Sequence, residues 1–449
     1  MNPSGSNPLS EAATGTRRRH VPNPQDQQAN ANSPHTPLLV VLGAGSRTWR
    51  GYGLQHIAAR HPVALLDHQP PAWADAHVAV SVAVDLTDAE AVADAVATLA
   101  ADRGVAGVLT YMENHVVLAA RLTDRFALPG NTPAAVEACR DKYLTRSLLA
   151  AAGVPSARSY LVADAETAVE YAVLLGGPVV IKPRSLGGSA GVHRADTPDQ
   201  VRDAFHAAKG ASLFGIERTG AAGVLIEEYL DGPEVSVECV VLGHGTVHIA
   251  AVTRKYLGDE PAFQEVGHLV DPTDPLLADL RIRDVALGAL TAVGISSGVM
   301  HVEMRLTRQG PRIVEINARL GGDLIPHLVH LATGLNLPQI TADLAVGVDP
   351  ELVPSQSQSA AVRFLYPAVT GHVTAVNTGV FAAWLDRFEW TAAPGSHVTA
   401  PPRATLLDRT ALAVVTGPDP DTCHRRLQLV EERSGIHIQA DTATTACVV

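Results

Sequence analysis

The chain is poor in aromatic residues and in positive charge, and each shortage limits what the protein can be. Only 4% of its 449 residues are aromatic, so Ala, Val, Leu and Gly supply most of the buried surface; the apolar fraction of 46% is ample for several cores. The formal net charge of -12 argues against nucleic acid as the main partner, because phosphate backbones bind basic surfaces. A nucleotide held in a local basic pocket is still compatible with this charge.

Cysteines are also few, and long apolar runs are missing. The four cysteines are scattered without metal-ligand spacing or a disulfide pattern, which favours reduced thiols in a cytoplasmic protein. No apolar run reaches the roughly 18 residues of a membrane helix, so no membrane partner is expected. Residues 1–36 are rich in Asn, Pro, Gln and Ser and are expected to form a disordered tail. A secretory signal is not expected, because no apolar segment follows Arg17–Arg19.

Residues 37–131 alternate short apolar strands with a helical stretch, which predicts a parallel α/β domain. The first strand ends in Gly43-x-Gly45, as a dinucleotide-binding turn does. The third glycine of that motif is missing, however, because position 48 is Thr, so a tight turn without a ligand is favoured. Glu113 follows a later strand, where a carboxylate either holds a substrate ammonium group or caps a helix.

Two lysines lie in segments of different character. The pattern of residues 132–153 predicts one helix containing Lys142, which by itself would be a surface residue. Lys182 lies in an apolar strand, where its ammonium group needs a counter-charge. The glycine-rich loop that follows can present backbone N–H groups to a phosphate, although it can also be a flexible hairpin tip. A lysine directly before such a loop favours the phosphate interpretation; the loop contains Gly187, Gly188, Ser189 and Gly191.

Residues 224–238 predict two strands joined by a short Gly-Pro linker. The linker can expose backbone amides to an adenine ring, and Glu234 can accept hydrogen bonds from ribose hydroxyls. The pattern alone is equally compatible with a strand-turn-strand unit that carries edge carboxylates.

A β-hairpin is predicted around Gln309, because polar and apolar residues alternate on both sides of a Gly-Pro turn. His301 and Glu303 share one face, as do Glu315 and Asn317, since residues two apart in a strand point to the same side. With Gln309 at the turn, Glu303 lies opposite Glu315. Facing carboxylates repel each other unless a cation lies between them, and Mg²⁺ prefers such oxygen ligands. An exposed polar hairpin is the alternative.

The order of these parts resembles the ATP-grasp superfamily of carboxylate–amine ligases, and within it the L-amino acid ligase branch. The motifs are the helix lysine, the strand lysine with its glycine loop, the acidic linker and the two acidic hairpin strands, together with Phe263–His268 and Glu315–Gly322. The resemblance covers roughly residues 100 to 350 specifically and the flanks more loosely. It implies an N-terminal Rossmann-like domain (37–131), an α+β ATP-grasp domain (132–350) with a nucleotide-closing subdomain at about 179–252, and a C-terminal ligase domain (351–449).

The resemblance also implies roles for individual residues. Lys142, Lys182 and the loop 187–191 would contact ATP phosphates, while Arg319 would lie beside the acyl phosphate and act in catalysis with Lys182. The metal ligands would be Glu303, Glu315 and Asn317. The adenine and ribose would be bound by Glu227, Glu228, Tyr229, Leu230 and Glu234, and the substrate by Glu113, Glu265, His268, Arg319, Gly321 and Gly322.

The expected reaction is ATP-dependent amide formation between a carboxylate, such as an amino acid, and an amine. ATP and two Mg²⁺ ions, or Mn²⁺, are the implied cofactors. A homodimer is possible, because dimers are common among such ligases, and the sequence leaves the oligomeric state open. A biotin-carboxylase-like or purine-pathway-like ligase keeps the fold and changes the substrate. An NAD-dependent oxidoreductase and a non-catalytic nucleotide sensor are alternatives of other classes. Residues 351–449 predict strands and a helix from about 419 to 434, with Arg363 and Arg409 as candidates for structural contacts.

Overall fold

The computed structural model describes residues 36–212, 222–243, 245–258 and 263–441. Apart from Thr36, the predicted tail lies outside these residues, as does Cys447. In this part of the chain, no helix has both the length and the apolar character needed to cross a bilayer. The α-helices are α1 (Arg47–Ala58), α2 (Ala89–Asp102), α3 (Val116–Arg125), α4 (Pro133–Arg140), α5 (Lys142–Ala151), α6 (Ala165–Leu175), α7 (Pro198–Gly210), α8 (Leu280–Ala292), α9 (Ile325–Thr333), α10 (Leu337–Ala345) and α11 (Pro420–Arg433).

The strands form four sheets. They are β1 (Leu38–Leu42), β2 (Val63–Asp67), β3 (Val80–Ala83), β4 (Val105–Leu109), β5 (Ser159–Val162), β6 (Val179–Pro183), β7 (His193–Ala195), β8 (Val224–Glu228), β9 (Glu234–Val241), β10 (Val247–Leu257), β11 (Glu265–Val270), β12 (Gly298–Thr307), β13 (Gly310–Asn317), β14 (Ser359–Leu365), β15 (Gly371–Asn377), β16 (Leu385–Trp390), β17 (His397–Val398), β18 (Ala411–Gly417) and β19 (Gly435–Ala440).

The N-terminal strands form a parallel sheet in the order β3-β2-β1-β4, which confirms the predicted α/β organisation. β1 is buried along its whole length, as expected for a strand covered on both faces. The glycine turn after β1 is tight: Gly43 has φ +76°, and a Cβ atom there would lie 3.1 Å from the ring of His115. Side chains of the protein itself therefore crowd this turn.

A smaller antiparallel sheet, β5-β8-β6-β7, carries α6 and α7 on one side. Its core contains Ile181 and Ile226 from the strands and Phe205 from α7, all almost completely buried. α7 begins with a capping box, in which Thr197 and Gln200 satisfy each other's backbone N–H groups. This sheet holds Lys182 at the carboxyl end of β6.

The largest sheet is antiparallel and has the order β13-β12-β9-β10-β11-β14-β18-β16. It continues across residue 350, because β14 pairs with β11 as well as with β18. Its core merges with that of the N-terminal sheet: Leu39 and Leu65 share one buried cluster with Leu328 of α9 and Val362 of β14. The proposed domain boundaries therefore stay a prediction, whereas the continuous sheet is observed.

The segment 132–153 was predicted to be one helix, and this prediction is wrong. Asp141 divides it into α4 and α5, because this residue adopts an extended backbone (φ -95°, ψ 99°) and caps α5. Its carboxylate accepts hydrogen bonds from the N–H groups of Tyr143 and Leu144 at 3.0 and 3.2 Å. Asp favours helix N-caps for this reason. Lys142 consequently lies in the first turn of a helix.

The last sheet contains three strands in the order β17-β15-β19. Its buried face packs Val373, Val398 and Ile438 together. α11 runs from Pro420 to Arg433 with Asp419 as its N-cap, in agreement with the helix predicted from about 419 to 434. It packs on β14 and β18 of the large sheet.

Candidate active site

The predicted hairpin and its register are confirmed. β12 and β13 pair with Glu303 opposite Glu315 and His301 opposite Asn317. Each carboxylate has a cation beside it: Lys142 Nζ lies 2.8 Å from Glu315 Oε1, and Lys255 Nζ lies 2.8 Å from Glu303 Oε1. The two acidic side chains are thus held in place on neighbouring strands by lysines that come from outside the hairpin.

On one side of the hairpin, positive charge is in excess. Lys182 Nζ lies 2.6 Å from Glu227 Oε2, and Arg146 Nε lies 2.9 Å from Glu227 Oε1. Burial raises the pKa of Glu227, but Arg146 and Lys182 outweigh burial and lower it to about 2. Burial lowers the pKa of Lys182, and Arg146 and Lys142 add to this against the single carboxylate. Two cations on one carboxylate leave a net positive charge, which suits a polyphosphate.

The glycine loop lies next to this cluster. Lys142 Nζ donates to the carbonyl oxygen of Leu186 at 2.6 Å, which ties the loop to α5. Gly188 and Ser189 both have positive φ, at 62° and 54°. A left-handed backbone at a serine is uncommon and occurs most often at functional loops. These two residues form the centre of a turn that is closed by the Ala190 N–H and the Gly187 carbonyl oxygen at 3.3 Å, and turns of this kind can present other backbone N–H groups to an anion.

The predicted adenine linker is shorter than expected. Glu227 and Glu228 belong to β8; Glu228 pairs with Arg158 and Arg312, both at 2.8 Å. Only Tyr229 and Leu230 of the predicted set lie in the linker itself. The Tyr229 ring stacks on Phe263 with centroids 6.4 Å apart. Tyr229 and Phe263 both line the slot, so a planar base can pack against their aromatic rings.

Gly232 and Glu234 fix the far end of the linker. A Cβ atom at Gly232 would lie 2.2 Å from the carbonyl oxygen of Leu306, so only glycine fits where the linker crosses β12. Glu234, predicted to bind ribose, accepts from Arg305 Nε at 2.9 Å and lies 2.8 Å from Lys255 Nζ. Its role in ribose binding stays a prediction.

Negative charge is in excess around Lys255, which sequence reasoning missed. Its Nζ lies 2.8 Å from Glu234, 2.7 Å from Glu265 and 2.8 Å from Glu303, and its side chain is only 2% exposed. Burial lowers the pKa of Lys255, but the three carboxylates outweigh burial and raise it well above its usual value. A signal existed in the sequence, because a lysine in the alternating strand 252–257 needs a counter-charge. The partners come from three separate strands, so their identity required the fold.

His301 carries a second buried positive charge. Its Nδ1 lies 2.8 Å from Glu238 Oε1 and its Nε2 lies 3.1 Å from Glu303 Oε1. Burial lowers the pKa of His301, but Glu238 and Glu303 outweigh burial and raise it to about 10. The imidazolium therefore donates to both carboxylates at neutral pH. A Cβ atom at Gly321 would lie 3.0 Å from this ring, so the predicted Gly321 leaves room for the histidine.

Arg319 and Glu113 form a buried ion pair with Arg140. Each arginine contacts a different oxygen of Glu113. Burial raises the pKa of Glu113, but Arg319 and Arg140 outweigh burial and lower it to about 2. Glu113 was predicted to bind a substrate ammonium group; in the structure its carboxylate is occupied by two guanidinium groups. In the structure, Glu113 orients the guanidinium group of Arg319. Arg140, the second partner of Glu113, was not identified from the sequence.

The predicted substrate residues Glu265 and His268 lie close to Asp323. His268 is fully buried, with Nε2 3.5 Å from Asp323 and 3.9 Å from Glu265. Arg409 pairs with both oxygens of Asp323, at 2.8 and 2.6 Å, which makes it the structural contact that was expected. Burial raises the pKa of Asp323, but Arg409 outweighs burial and lowers it far below its usual value. For Glu265, burial and the charge of Asp323 raise the pKa despite Lys255.

Two cavities meet at the acidic hairpin. A slot of about 90 Å³ is lined by Lys142, Lys182, Glu227–Leu230 and Glu234. A larger cavity of about 710 Å³ is lined by the glycine loop, Glu265, Arg319, Gly322 and residues 402–407. Glu303 and Glu315 line both cavities, and Asn317 lines the larger one. Three predicted residues do not line either cavity but contact residues that line the larger one: Glu113 contacts Arg319, His268 contacts Asp323 and Gly321 lies next to His301.

The donor set of the hairpin suits Mg²⁺. Two carboxylates and a carboxamide oxygen are hard ligands on adjacent strands, and they face a cavity in which a phosphate can complete the coordination. Both carboxylates are held by cationic side chains. Burial raises the pKa of Glu303, but Lys255 and His301 lower it well below its usual value.

Comparisons with known proteins agree with this geometry. Residues 175–327 match the family model described as the ATP-grasp domain. The chain is 30% identical over 368 residues to the uncharacterized protein y4rH of Sinorhizobium fredii (strain NBRC 101917 / NGR234), a match that covers 79% of this chain and 73% of that protein. It is 29% identical over 254 residues to phosphoribosylamine–glycine ligase of Streptococcus pneumoniae serotype 4 and 27% identical over 342 residues to human carnosine synthase 1.

These last two matches are partial. They cover 53% and 70% of this chain but only 58% and 40% of the relatives, which is less than two thirds of their length. Among solved structures, an L-amino acid ligase from Bacillus licheniformis superposes with a TM-score of 0.75 at 20% identity, covering 90% of this chain and 99% of that one. At this identity the likeness shows the fold, and it confirms the predicted ATP-grasp architecture.

Proposed function

The chain belongs to the ATP-grasp superfamily of ATP-dependent carboxylate–amine ligases, and from this premise we propose that it joins an amino acid to an amine. The carboxylate is activated as an acyl phosphate, and the products are an amide, ADP and phosphate. The match to carnosine synthase 1 and the fold of an L-amino acid ligase support an amino acid as the acid. We further propose two Mg²⁺ ions, a cytoplasmic location and a homodimer.

One observation carries the proposal: the facing carboxylates Glu303 and Glu315 stand where the two cavities meet. The slot is lined by Lys142, Arg146 and Lys182 and by the linker, which suit the phosphates and the base of a nucleotide. The larger cavity has room for two small substrates. A triphosphate that extends from the slot ends at the hairpin, with its last phosphorus facing the larger cavity.

In the first step, an oxygen of the substrate carboxylate attacks the γ-phosphorus of ATP, and the bond from that phosphorus to the bridging oxygen of ADP breaks. Lys142, Lys182 and the loop amides would hold the phosphates, and Glu303, Glu315 and Asn317 would hold Mg²⁺, which neutralises developing charge when bound. Arg319 lines the larger cavity with its guanidinium oriented by Glu113, so it is placed to stabilise the acyl phosphate.

In the second step, the amine nitrogen attacks the acyl carbon. The carbon–oxygen bond to phosphate breaks, phosphate leaves with the electron pair, and the nitrogen loses a proton. An acyl phosphate hydrolyses readily, so water must be kept out. The glycine loop and residues 402–407 face each other across the larger cavity and are the candidates for a lid.

The test is a phosphate-release screen of the purified protein with Mg-ATP and pairs of amino acids, with products identified by mass spectrometry. Glu315→Ala should reduce phosphate release by about a hundredfold, because a metal ligand is lost. The matched control is Glu137→Ala, which removes a 45% exposed glutamate paired with Arg121 on the surface and should keep full activity. Wild-type rates in Glu315→Ala would overturn the assignment of the site.

The alternatives separate in the same assay. A biotin-carboxylase-like or purine-pathway-like enzyme would release phosphate with bicarbonate or a ribosylamine and not with amino acid pairs. A nucleotide sensor would bind ATP without release. The NAD-dependent oxidoreductase is not supported, because the chain belongs to a ligase superfamily and Met112 and His115 crowd its glycine turn.

A further inference from the structure

A second group of metal-ligating side chains lies on the exposed face of the three-stranded sheet β17-β15-β19. It consists of His372 on β15, His397 on β17 and Asp441 directly after β19. One ligand atom from each side chain lies within 4.8 Å of the others. The proposed ligase reaction uses none of these residues.

The backbone holds the two histidines side by side. His372 and His397 are direct partners in the β15–β17 pairing, so both side chains project from the same face. Their rings lie 5.0 Å apart between centroids and 74° from parallel. Gly371 brings β15 and β19 close together, because a Cβ atom there would lie 2.2 Å from the carbonyl oxygen of Gln439. The two imidazoles thus stand on a framework that fixes their separation.

The carboxylate completes a mixed set of nitrogen and oxygen ligands. Asp441 Oδ2 lies 3.0 Å from His397 Nε2, and its backbone N–H donates to the Thr370 carbonyl at 3.1 Å, which anchors it to the start of β15. His397 and Asp441 are 45% and 49% exposed. An exposed His–Asp pair contributes little stability by itself. Its arrangement beside a second histidine therefore suggests a role other than stability.

We propose that His372, His397 and Asp441 bind a divalent transition-metal ion, with Zn²⁺ as the best fit. Two imidazoles and one carboxylate are the ligand types of zinc sites, with distances of about 2.0–2.2 Å to the metal. Ligand atoms in such a site are about 3.3 Å apart, so small side-chain rotations bring this group into position. Mg²⁺ and Ca²⁺ prefer oxygen ligands and suit the site poorly. Three protein ligands leave a fourth position open to water or another ligand.

The ion would link all three strands through residues that are far apart in sequence. β17 and β15 supply one histidine each, and Asp441 joins the end of β19 to them. Bound metal would therefore hold the sheet together as a cross-link between β15, β17 and the residue that follows β19.

The test is Zn²⁺ titration of the full chain by calorimetry in a large excess of Mg²⁺, which occupies the carboxylates of the ligase site. The wild type should bind one more Zn²⁺ than His372→Ala/His397→Ala, and Zn²⁺ should raise the melting temperature of the wild type but not that of the double variant. Asp441→Asn should weaken this binding by about tenfold or more. The matched control His437→Ala removes an exposed histidine of β19 outside the group and should keep the extra ion.

A circular dichroism spectrum and a metal-free melting temperature equal to those of the wild type would show that the double variant is folded. Equal Zn²⁺ stoichiometry in the wild type and the double variant would overturn the proposal. The result does not depend on which substrates the enzyme joins.

Discussion

Lys182 and Glu227 are buried together, and each charge compensates the cost of burying the other. Both side chains are about 5% exposed, and their charged atoms are 2.6 Å apart. A buried pair of this kind is weak evidence for stability but strong evidence that neither charge can be removed alone. The sequence predicted that Lys182 needs a counter-charge, and Glu227 provides it. Arg146 shares the carboxylate and supplies the surplus charge that a phosphate needs.

A double-mutant comparison separates stability from nucleotide binding. Lys182→Met should lower the free energy of unfolding by about 1–3 kcal/mol, because Glu227 keeps only Arg146 as a partner. Adding Glu227→Gln should lower the free energy of unfolding further, because Arg146 is then buried without its carboxylate partner. ATP affinity, measured by calorimetry, should fall at least about tenfold in both variants. A loss of stability without a loss of ATP affinity would show that Lys182 acts only as a structural partner.

His301 gives the site a pH dependence with a definite sign. Its pKa in the folded protein is about 10, above the value of about 6.5 in an unfolded chain. Its contribution to stability is therefore complete below about pH 6.5 and is lost as the pH rises toward 10. His301→Gln should remove this contribution. The difference in free energy of unfolding between wild type and variant, measured by urea denaturation without metal, should shrink from pH 6.5 to pH 10; a growing difference would contradict the assignment.

At the scale of elements, sequence patterns were most reliable where the signal was local. The hairpin register followed from alternation around one turn, and residues Glu303 and Glu315 fell opposite each other as expected. The break at Asp141 was missed, because an aspartate between two helical patterns is a cap only if the chain bends there. Lys255 and Arg140 were missed for another reason: their partners come from strands and helices far away in sequence, and no local pattern joins them.

Asp141 is the N-cap of α5, and Lys142 is the first residue of that helix. The cap therefore helps to fix the position of the Lys142 side chain in the site. Asp141→Ala should lower the free energy of unfolding by about 1 kcal/mol and also weaken ATP binding. Asp88→Ala is the matched control: Asp88 caps α2 through the Ala91 N–H at 3.0 Å, far from the site. It should cost less stability in thermal unfolding, because Asp141 also pairs through both carboxylate oxygens with Arg184, and it should leave ATP affinity unchanged. Equal affinity in both variants would contradict the proposed link.

At the scale of the whole molecule, residues from the C-terminal part complete the larger cavity. Arg409, 4% exposed, reaches Asp323 and lies 3.8 Å from the Phe364 ring centroid. Arg363 instead pairs with Glu431 at 2.8 Å near the surface, with 27% of its side chain exposed. The sequence placed both arginines in structural contacts, but only the fold distinguishes the buried one.

These two arginines make a matched pair for mutation. Arg409→Met should lower the free energy of unfolding by about 3 kcal/mol, because the partly buried Asp323 loses the guanidinium group that pairs with both of its oxygens. Arg363→Met should change it by less than about 1 kcal/mol, as for other exposed ion pairs. Urea denaturation of both variants checks this, and similar losses would contradict the burial argument.

The large sheet has a consequence for attempts to shorten the protein. β14 covers the side of β11 that would otherwise offer free N–H and C=O groups, through the pairs from Gly267 with Arg363 to Val270 with Ala360. A fragment that stops at residue 350 would turn β11 into a bare edge whose last four residues are buried in the intact chain. Such edges recruit strands from other molecules. The fragment would accordingly aggregate, so trimming for crystallisation or fusion should keep β14 and β18.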